Sequence, residues 1–266
     1  MDVLFWGAER AGSVAALEYL IEAANVIGCI PDDLLGGSVI DLCRKNSIPI
    51  YTPELLIEEI EKGRINRPLW GLCCSYHSLI PTRLIEFPLN GTINFHPSPL
   101  PYHRGIAGSS YAKYNSENEW GVSAHYMDAA FDGGDIINVE RFAIVTATSA
   151  IELDYIIQLE MYKLAKKTID SLLTGKIPDR VKQNEADGHY YGRKDLNADK
   201  RVSFSDDSDS IKKKVEAFWF PPYEGAYIEI NGERYTLVNK KILDEVSMLY
   251  DTHFQKEWDK QCKRLF

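Results

Sequence analysis

Two short stretches of the chain concentrate side chains that can move protons and stabilise charge. The first is Thr92-Ile93-Asn94-Phe95-His96-Pro97-Ser98-Pro99-Leu100-Pro101-Tyr102-His103-Arg104-Gly105. In a strand, residues two apart project from one face, so Asn94 and His96 point together into a single cleft. Pro97, Pro99 and Pro101 then end the strand and stiffen the loop that follows. An amide that donates hydrogen bonds, set beside an imidazole that titrates near neutrality, suits acyl transfer to an amine. Asn stabilises a developing oxyanion and His moves the amine proton. Alone the pair is a weak signal, because a single His is more often structural than catalytic.

The second stretch is Asp128-Ala129-Ala130-Phe131-Asp132-Gly133-Gly134-Asp135-Ile136-Ile137. A carboxylate on a Gly-flanked turn, Asp132, can approach an imidazole, orient it and raise its pKa. The plainer alternative is an Asp-Gly turn between two strands. Cys73 and Cys74 suggest a thiol nucleophile, but they fall inside a buried strand. The five cysteines contain no Cys-x-x-Cys pair and read as buried free thiols. A zinc enzyme built on His96, His103 and Asp132 needs a tighter ligand geometry than these loop positions promise, so no metal is expected.

Elements of regular spacing must position these groups. Residues 3–7, 26–31, 48–51, 69–74 and 91–95 read as strands, and residues 11–24, 39–45 and a segment opened by Pro53 read as helices. This alternation predicts an α/β fold with a doubly wound, mostly parallel sheet, whose ligands bind beyond the carboxyl ends of the strands. Strand-like alternation returns at 122–127 and 135–144, and a long helix is predicted over 150–174. The polar residues 179–200 read as a linker. Beyond it lie a short helix at 210–218 and a hairpin pinned by Asn231-Gly232, a small C-terminal α+β unit. Phe254, Trp258, Cys262 and Leu265 fall at helical spacing in the tail. The expected division is a catalytic domain over 1–185, a linker over 186–199 and a C-terminal unit over 200–266.

Composition narrows the function classes. Hydrophobic content of 45% and charged content of 26% fit a globular protein. No apolar stretch is long enough to cross a bilayer. The apolar residues 3–7 follow no basic run and precede no small-residue cleavage site, so a cytosolic protein is expected. A net charge of −9 argues against a nucleic acid as principal ligand. Gly7-x-x-x-x-Gly12-Ser13 has the spacing of a phosphate loop but lacks its Lys, and no Gly-x-Gly-x-x-Gly follows the first strand.

The two chemical stretches together resemble the formyltransferases that use 10-formyltetrahydrofolate. That family's pattern is Asn-x-His-x-Ser-x-Leu-Pro-x-x-Arg-Gly followed by Asp-x-Gly-Asp. Every fixed position is filled here, and Asp132 follows His96 by 36 residues as the pattern requires. The resemblance covers about residues 1 to 200 and implies a Rossmann-like catalytic domain. It implies Asn94, His96 and Asp132 as the catalytic trio, acting by direct transfer without a covalent enzyme intermediate. It also implies 10-formyltetrahydrofolate as co-substrate, held by the loop after the preceding strand and by the Asp128–Asp132 segment. The residues expected there are Ser75, Tyr76, Leu79, Ile80, Asp128 and Phe131. The family reads Tyr-Gly-x-Ile-Leu-Pro in that loop, and His77 stands where the family has its Gly.

Within the family the resemblance implies one of several acceptors. Methionyl-tRNA enzymes are similar to one another in a basic loop after the second strand and in a full C-terminal barrel. Here the loop is Pro31-Asp32-Asp33-Leu34-Leu35-Gly36-Gly37, acidic and short. The sugar-nucleotide N-formyltransferase branch fits better and implies a dTDP-linked 4-amino- or 3-amino-dideoxyhexose made for bacterial surface polysaccharide, on a homodimeric enzyme. Arg193 and Lys194 offer adjacent cations for a diphosphate, or are a solvated linker. Tyr102 belongs to the motif loop, and Trp219, Phe220 and Tyr223 offer flat faces for a base, or pack between units. A formyltetrahydrofolate hydrolase with water as acceptor and a non-catalytic binding module are the remaining alternatives.

Overall fold

The computed structural model of the chain describes residues 1–34, 37–144, 149–244 and 246–247. Its centre is a six-stranded sheet. The apolar run β1 (Asp2–Gly7) leads through α1 (Ala11–Ala23) to β2 (Asn25–Pro31). α2 (Ser38–Lys45) and α3 (Pro53–Glu61) follow, the latter capped by Thr52 Oγ1, which accepts from Leu55 N at 3.1 Å. Next come β3 (Trp70–Cys74), the single turn α4 (Thr82–Ile85) and β4 (Thr92–His96). The short β5 (Arg104–Gly105) and α5 (Gly108–Tyr114) then give way to the long strands β6 (Glu119–Tyr126) and β7 (Ile136–Ala143).

The strand order is β2-β1-β3-β4-β6-β7. β2, β1, β3 and β4 run parallel, whereas β6 is antiparallel to β4 and β7 to β6. The mixed, mostly parallel α/β sheet expected from the sequence is the observed one. Residues 48–51 depart from their expectation: instead of a strand they make a single bridge, Ile50 to Cys29. Pro49 has no N–H to extend the ladder and Pro53 starts a helix, so the pairing has no room to grow.

Alternation sorts the strands onto two cores. Phe5, Leu72, Ile93, Phe95, Val122 and Ala124 face a large core that α1 and α6 (Ala150–Leu173) cover. α6 carries its buried residues at three- and four-residue spacing, from Leu153 through Ile157, Met161 and Leu164 to Leu172. On the other side Leu4, Trp6 and Cys73 pack with Leu56 of α3 and with Leu84 and Ile85 of α4. That helical cover lies over β1 and β3. Beside it, the β4–β6 part of the same face carries Asn94, His96, Ser123 and His125, and it is there that a polar site opens.

The 186–199 stretch, expected to be a linker, is built structure. β8 (Tyr190–Tyr191) pairs with β5, and α7 (Arg193–Lys200) follows. Tyr191 packs on Tyr111 at a ring separation of 3.8 Å. Beyond it, β9 (Arg201–Val202), α8 (Ser208–Phe218), β10 (Tyr227–Ile230) and β11 (Glu233–Thr236) enclose a small core of Val202, Val215, Ala226 and Ile242. Asn231 and Gly232 both have positive φ, 52° and 83°, as the two-residue hairpin turn demands. The tail stripe from Phe254 to Leu265 lies outside the described residues. No helix among the described residues is long and apolar enough to cross a membrane.

Candidate active site

β4 sends Ile93 and Phe95 into the large core and turns Asn94 and His96 to the opposite face. β6 lies antiparallel beside it, setting His125 opposite Asn94 and Ser123 opposite His96. Ser123 pins the loop that the prolines stiffen. Its hydroxyl donates to Ser98 O at 2.7 Å and accepts from Leu100 N at 2.9 Å. Ser98 Oγ donates to His103 O at 2.7 Å, and Trp120 Nε1 donates to Pro97 O at 2.9 Å. Side chains thus fix a loop whose prolines cannot donate.

Asp132 sits in the turn after β6 with a φ of 52°, a left-handed conformation that Asp tolerates better than most residues. Its Oδ1 lies 3.3 Å from His96 Nδ1, and its Oδ2 accepts from Gly105 N at 2.9 Å. Gln183 braces the turn from outside, donating to the carbonyls of Asp132 and Gly134 at 2.8 and 2.6 Å. The three residues marked by the sequence are therefore brought together, with His96 buried and its Nδ1 face committed to the carboxylate.

Sequence reasoning missed His125. Its Nε2 lies 3.0 Å from Asn94 Nδ2 and 3.9 Å from Asp132 Oδ1, and its Nδ1 lies 2.8 Å from Tyr126 O. Burial pushes its pKa down to about 4, against the pull of Asp132 and with repulsion from His96. The signal in the sequence was the placement of polar Ser123 and His125 at alternate positions of an otherwise apolar strand.

A cleft of about 200 Å3 opens beside these groups. Tyr76, Leu79 and Ile80 line one wall, Asp128 and Phe131 the other, and Cys73, Asn94 and His125 also border it. Leu79 and Phe131 remain 67% and 55% exposed, apolar faces at the rim suited to a flat ring system. Asp128 Oδ1 accepts from Ala130 N at 2.9 Å and shapes its own turn. Ser75, expected at this wall, does not line the cleft. A φ of 56° turns the chain there, and its hydroxyl is buried. His77 and Ser78 border the cleft and are held by Asp32: His77 N and Nδ1 meet Asp32 Oδ2 at 3.2 and 2.9 Å, and Ser78 Oγ donates to Asp32 Oδ1 at 2.7 Å. The loop after β2 thereby braces the wall after β3.

None of the six residues expected to hold the acceptor lines this cleft. Trp219 does not offer an open face, because it packs on the small core around Val215 and Ala226. Phe220 lies under the Arg10 guanidinium, 5.6 Å from the ring centroid, and Arg10 is itself paired with Asp154. Tyr223 is exposed, and Arg193 and Lys194 are exposed at the start of α7. Tyr102 borders a second, open groove with His103, Asn115, Glu117 and His189.

Two alternative chemistries lose their geometry. Burial pushes the Cys73 thiol far above its ordinary pKa, and Cys74 likewise, so neither is a ready thiolate. His103 stacks on Tyr191 at 5.5 Å and points Nε2 toward Glu117 at 3.6 Å, away from a shared ligand set with His96 and Asp132. Among the described residues no group of three His, Cys, Asp or Glu side chains is placed to hold a metal.

The arrangement sets an amide, Asn94, at the edge of an apolar cleft with a carboxylate-oriented imidazole, His96, buried behind it, groups able to stabilise an oxyanion and to move a proton. Residues 58–164, which contain all three groups, match the family model described as Formyl transferase. A methionyl-tRNA formyltransferase from Syntrophomonas wolfei subsp. wolfei is 30% identical over 196 residues, 74% of this chain. The chain spans only 60% of that relative's length. A 4-N formyltransferase from Francisella tularensis superposes with a TM-score of 0.72 at 21% identity, covering 90% of this chain and 96% of that one. An N-formyltransferase from Helicobacter canadensis, in complex with folinic acid and dTDP-3-aminofucose, gives 0.68 at 23% identity over 88% and 86% of the two chains. The fold is that of these formyltransferases.

Proposed function

We propose that the protein moves the formyl group of 10-formyltetrahydrofolate to the amine of a nucleotide-linked amino-dideoxy sugar. The observation that carries the chemistry is that Asn94 and Asp132 border a cleft with apolar rims while buried His96 sits behind them, its Nδ1 3.3 Å from Asp132 Oδ1. Asn94 donates an N–H to the formyl oxygen as it gains charge under attack by the amine. His96 takes the proton that the amine sheds and returns it to the folate nitrogen as the carbon–nitrogen bond breaks. Asp132 holds the imidazole by its Nδ1 and stabilises the imidazolium between those two transfers. The walls 76–80 and 128–131 would hold the pterin, with Leu79 and Phe131 against its faces.

Three observations favour a sugar nucleotide over tRNA as acceptor. The chain carries a net charge of −9, a poor match for a polyanion. The loop after β2 spends its acidic Asp32 on bracing His77 and Ser78. The structural neighbours matched over most of both chains include one in complex with dTDP-3-aminofucose. The finer reading is a dTDP-linked 4-amino- or 3-amino-dideoxyhexose destined for bacterial surface polysaccharide, handled by a cytosolic homodimer. Residues 1–185 carry the catalysis and 200–266 form an appended unit. Tyr102, Arg193, Lys194, Phe220 and Tyr223 stay as candidate acceptor contacts.

The test is turnover. Purified protein is mixed with 10-formyltetrahydrofolate and a panel of dTDP-, UDP- and GDP-amino sugars, and tetrahydrofolate release is followed. Release with at least one dTDP-amino sugar is expected. Silence across the panel together with turnover on charged initiator tRNA would defeat the acceptor assignment. Sedimentation separately reads the dimer.

A further inference from the structure

His125 is outside the trio, yet it makes the only side-chain hydrogen bond to Asn94 among the described residues. The protonation pattern of its ring follows from its partners. Nδ1 faces the Tyr126 carbonyl at 2.8 Å, and a carbonyl can only accept, so Nδ1 carries the proton. Nε2 is then a lone pair, and the group 3.0 Å away must be the donating nitrogen of the Asn94 amide. An amide bound this way cannot flip without setting its oxygen against the imidazole lone pair. Its second N–H stays available to the cleft, on which both residues border.

We propose that His125 is a positioning residue for formyl transfer, holding the Asn94 amide so that an N–H rather than its carbonyl meets the oxyanion. The inference rests on the formyl-transfer reading. The charged and titratable groups that face the ring are Asp132 from the turn after β6, His96 on β4, Asp128 at the rim and Cys73 on β3. A second proton on the ring would convert Nε2 into a donor, release Asn94 and favour Asp132, 3.9 Å away. Burial opposes that proton, which keeps the arrangement intact through the range where amines are transferred.

A double-mutant cycle with a spectroscopic arm decides the matter. His125→Leu is expected to lower kcat by about ten- to a hundredfold, up to the loss of an oxyanion donor. The KM for the formyl donor should stay within about twofold, because the walls of the cleft are untouched. His125→Gln, whose carbonyl can accept from Asn94, is expected to recover most of the loss. In an Asn94→Ala background His125→Leu should add less than about twofold, since nothing remains to position. Equal losses in both backgrounds would overturn the proposal. Nitrogen-15 correlation spectra of the imidazole should show Nδ1 protonated and Nε2 bare from pH 5 to 8, and an Nε2-protonated ring would overturn it as well. The spectra need no substrate, so they test the His125–Asn94 arrangement even if the chain transfers no formyl group. They also serve if His125→Leu does not fold.

Discussion

Each oxygen of the Asp132 carboxylate has its own partner: Oδ1 faces His96 Nδ1 at 3.3 Å, and Oδ2 takes the Gly105 N–H at 2.9 Å. An amide at this position could satisfy one of these and would present an N–H to the other. Asp132→Asn is therefore expected to lower kcat by several orders of magnitude, up to about 10⁴ as for other His-orienting carboxylates. The melting temperature should change little, and near-normal turnover would refute the assigned role. His125 gives a prediction about stability. Its pKa is about 4 in the folded protein against about 6.5 in an unfolded chain. Between these values the unfolded state binds the proton and the folded state does not, so stability is full above about pH 6.5 and falls as pH drops toward 4. The fall attributable to this ring is on the order of 3 kcal/mol. Urea titrations at pH 7 and 4.5 should show that difference shrinking in His125→Gln, and an unchanged pH dependence would contradict it. Asn94, His96 and Asp132 were legible because strand alternation and a fixed interval announce them. His125 was not, because only the β4–β6 register brings it opposite Asn94 across 31 residues.

At the scale of elements, the turn that carries Asp132 is set by how closely its backbone passes the end of β6. A Cβ on Gly134 would lie 1.9 Å from the Tyr126 carbonyl oxygen, so the second Gly of the motif has a steric reason. Gly134→Ala is expected to destabilise the protein by roughly 2–3 kcal/mol and to pull Asp132 off His96. A urea midpoint and a kcat that both match the parent would remove this reason. Gly188 is similar: its Cβ would fall 1.8 Å from the Pro101 oxygen, where the 184–192 segment crosses the proline loop. That crossing explains why residues 186–199 read as a linker in the sequence and yet carry β8 and most of α7. Their polar composition reflects a surface strap that reaches back to pair with β5, and no local periodicity encodes a partner so far away in sequence. α6 was readable for the opposite reason. Its apolar spacing is regular over 24 residues, and it opens with a capping box in which Ser149 Oγ accepts from Glu152 N while Glu152 accepts from Ser149 N.

For the molecule as a whole, charge decides more about the acceptor than any single contact. A net −9 means that a polyanion approaching this surface meets long-range repulsion, to be overcome by local cations. A tRNA acceptor held through six to ten phosphate contacts would lose about 10³- to 10⁵-fold in affinity between 50 and 200 mM salt, because each contact releases a condensed counterion. A diphosphate presents only a small, compact charge, and a pair such as Arg193 and Lys194 could serve it with a far shallower dependence. The acceptor KM is therefore expected to change by less than about tenfold over that salt range, with kcat unmoved, since Asn94 and Asp132 border the cleft and His96 is buried, away from the charged surface. The measurement is a set of initial rates at fixed 10-formyltetrahydrofolate across the salt series. A slope worth several phosphate contacts would redirect the acceptor to nucleic acid while leaving the formyl chemistry of Asn94, His96 and Asp132 in place.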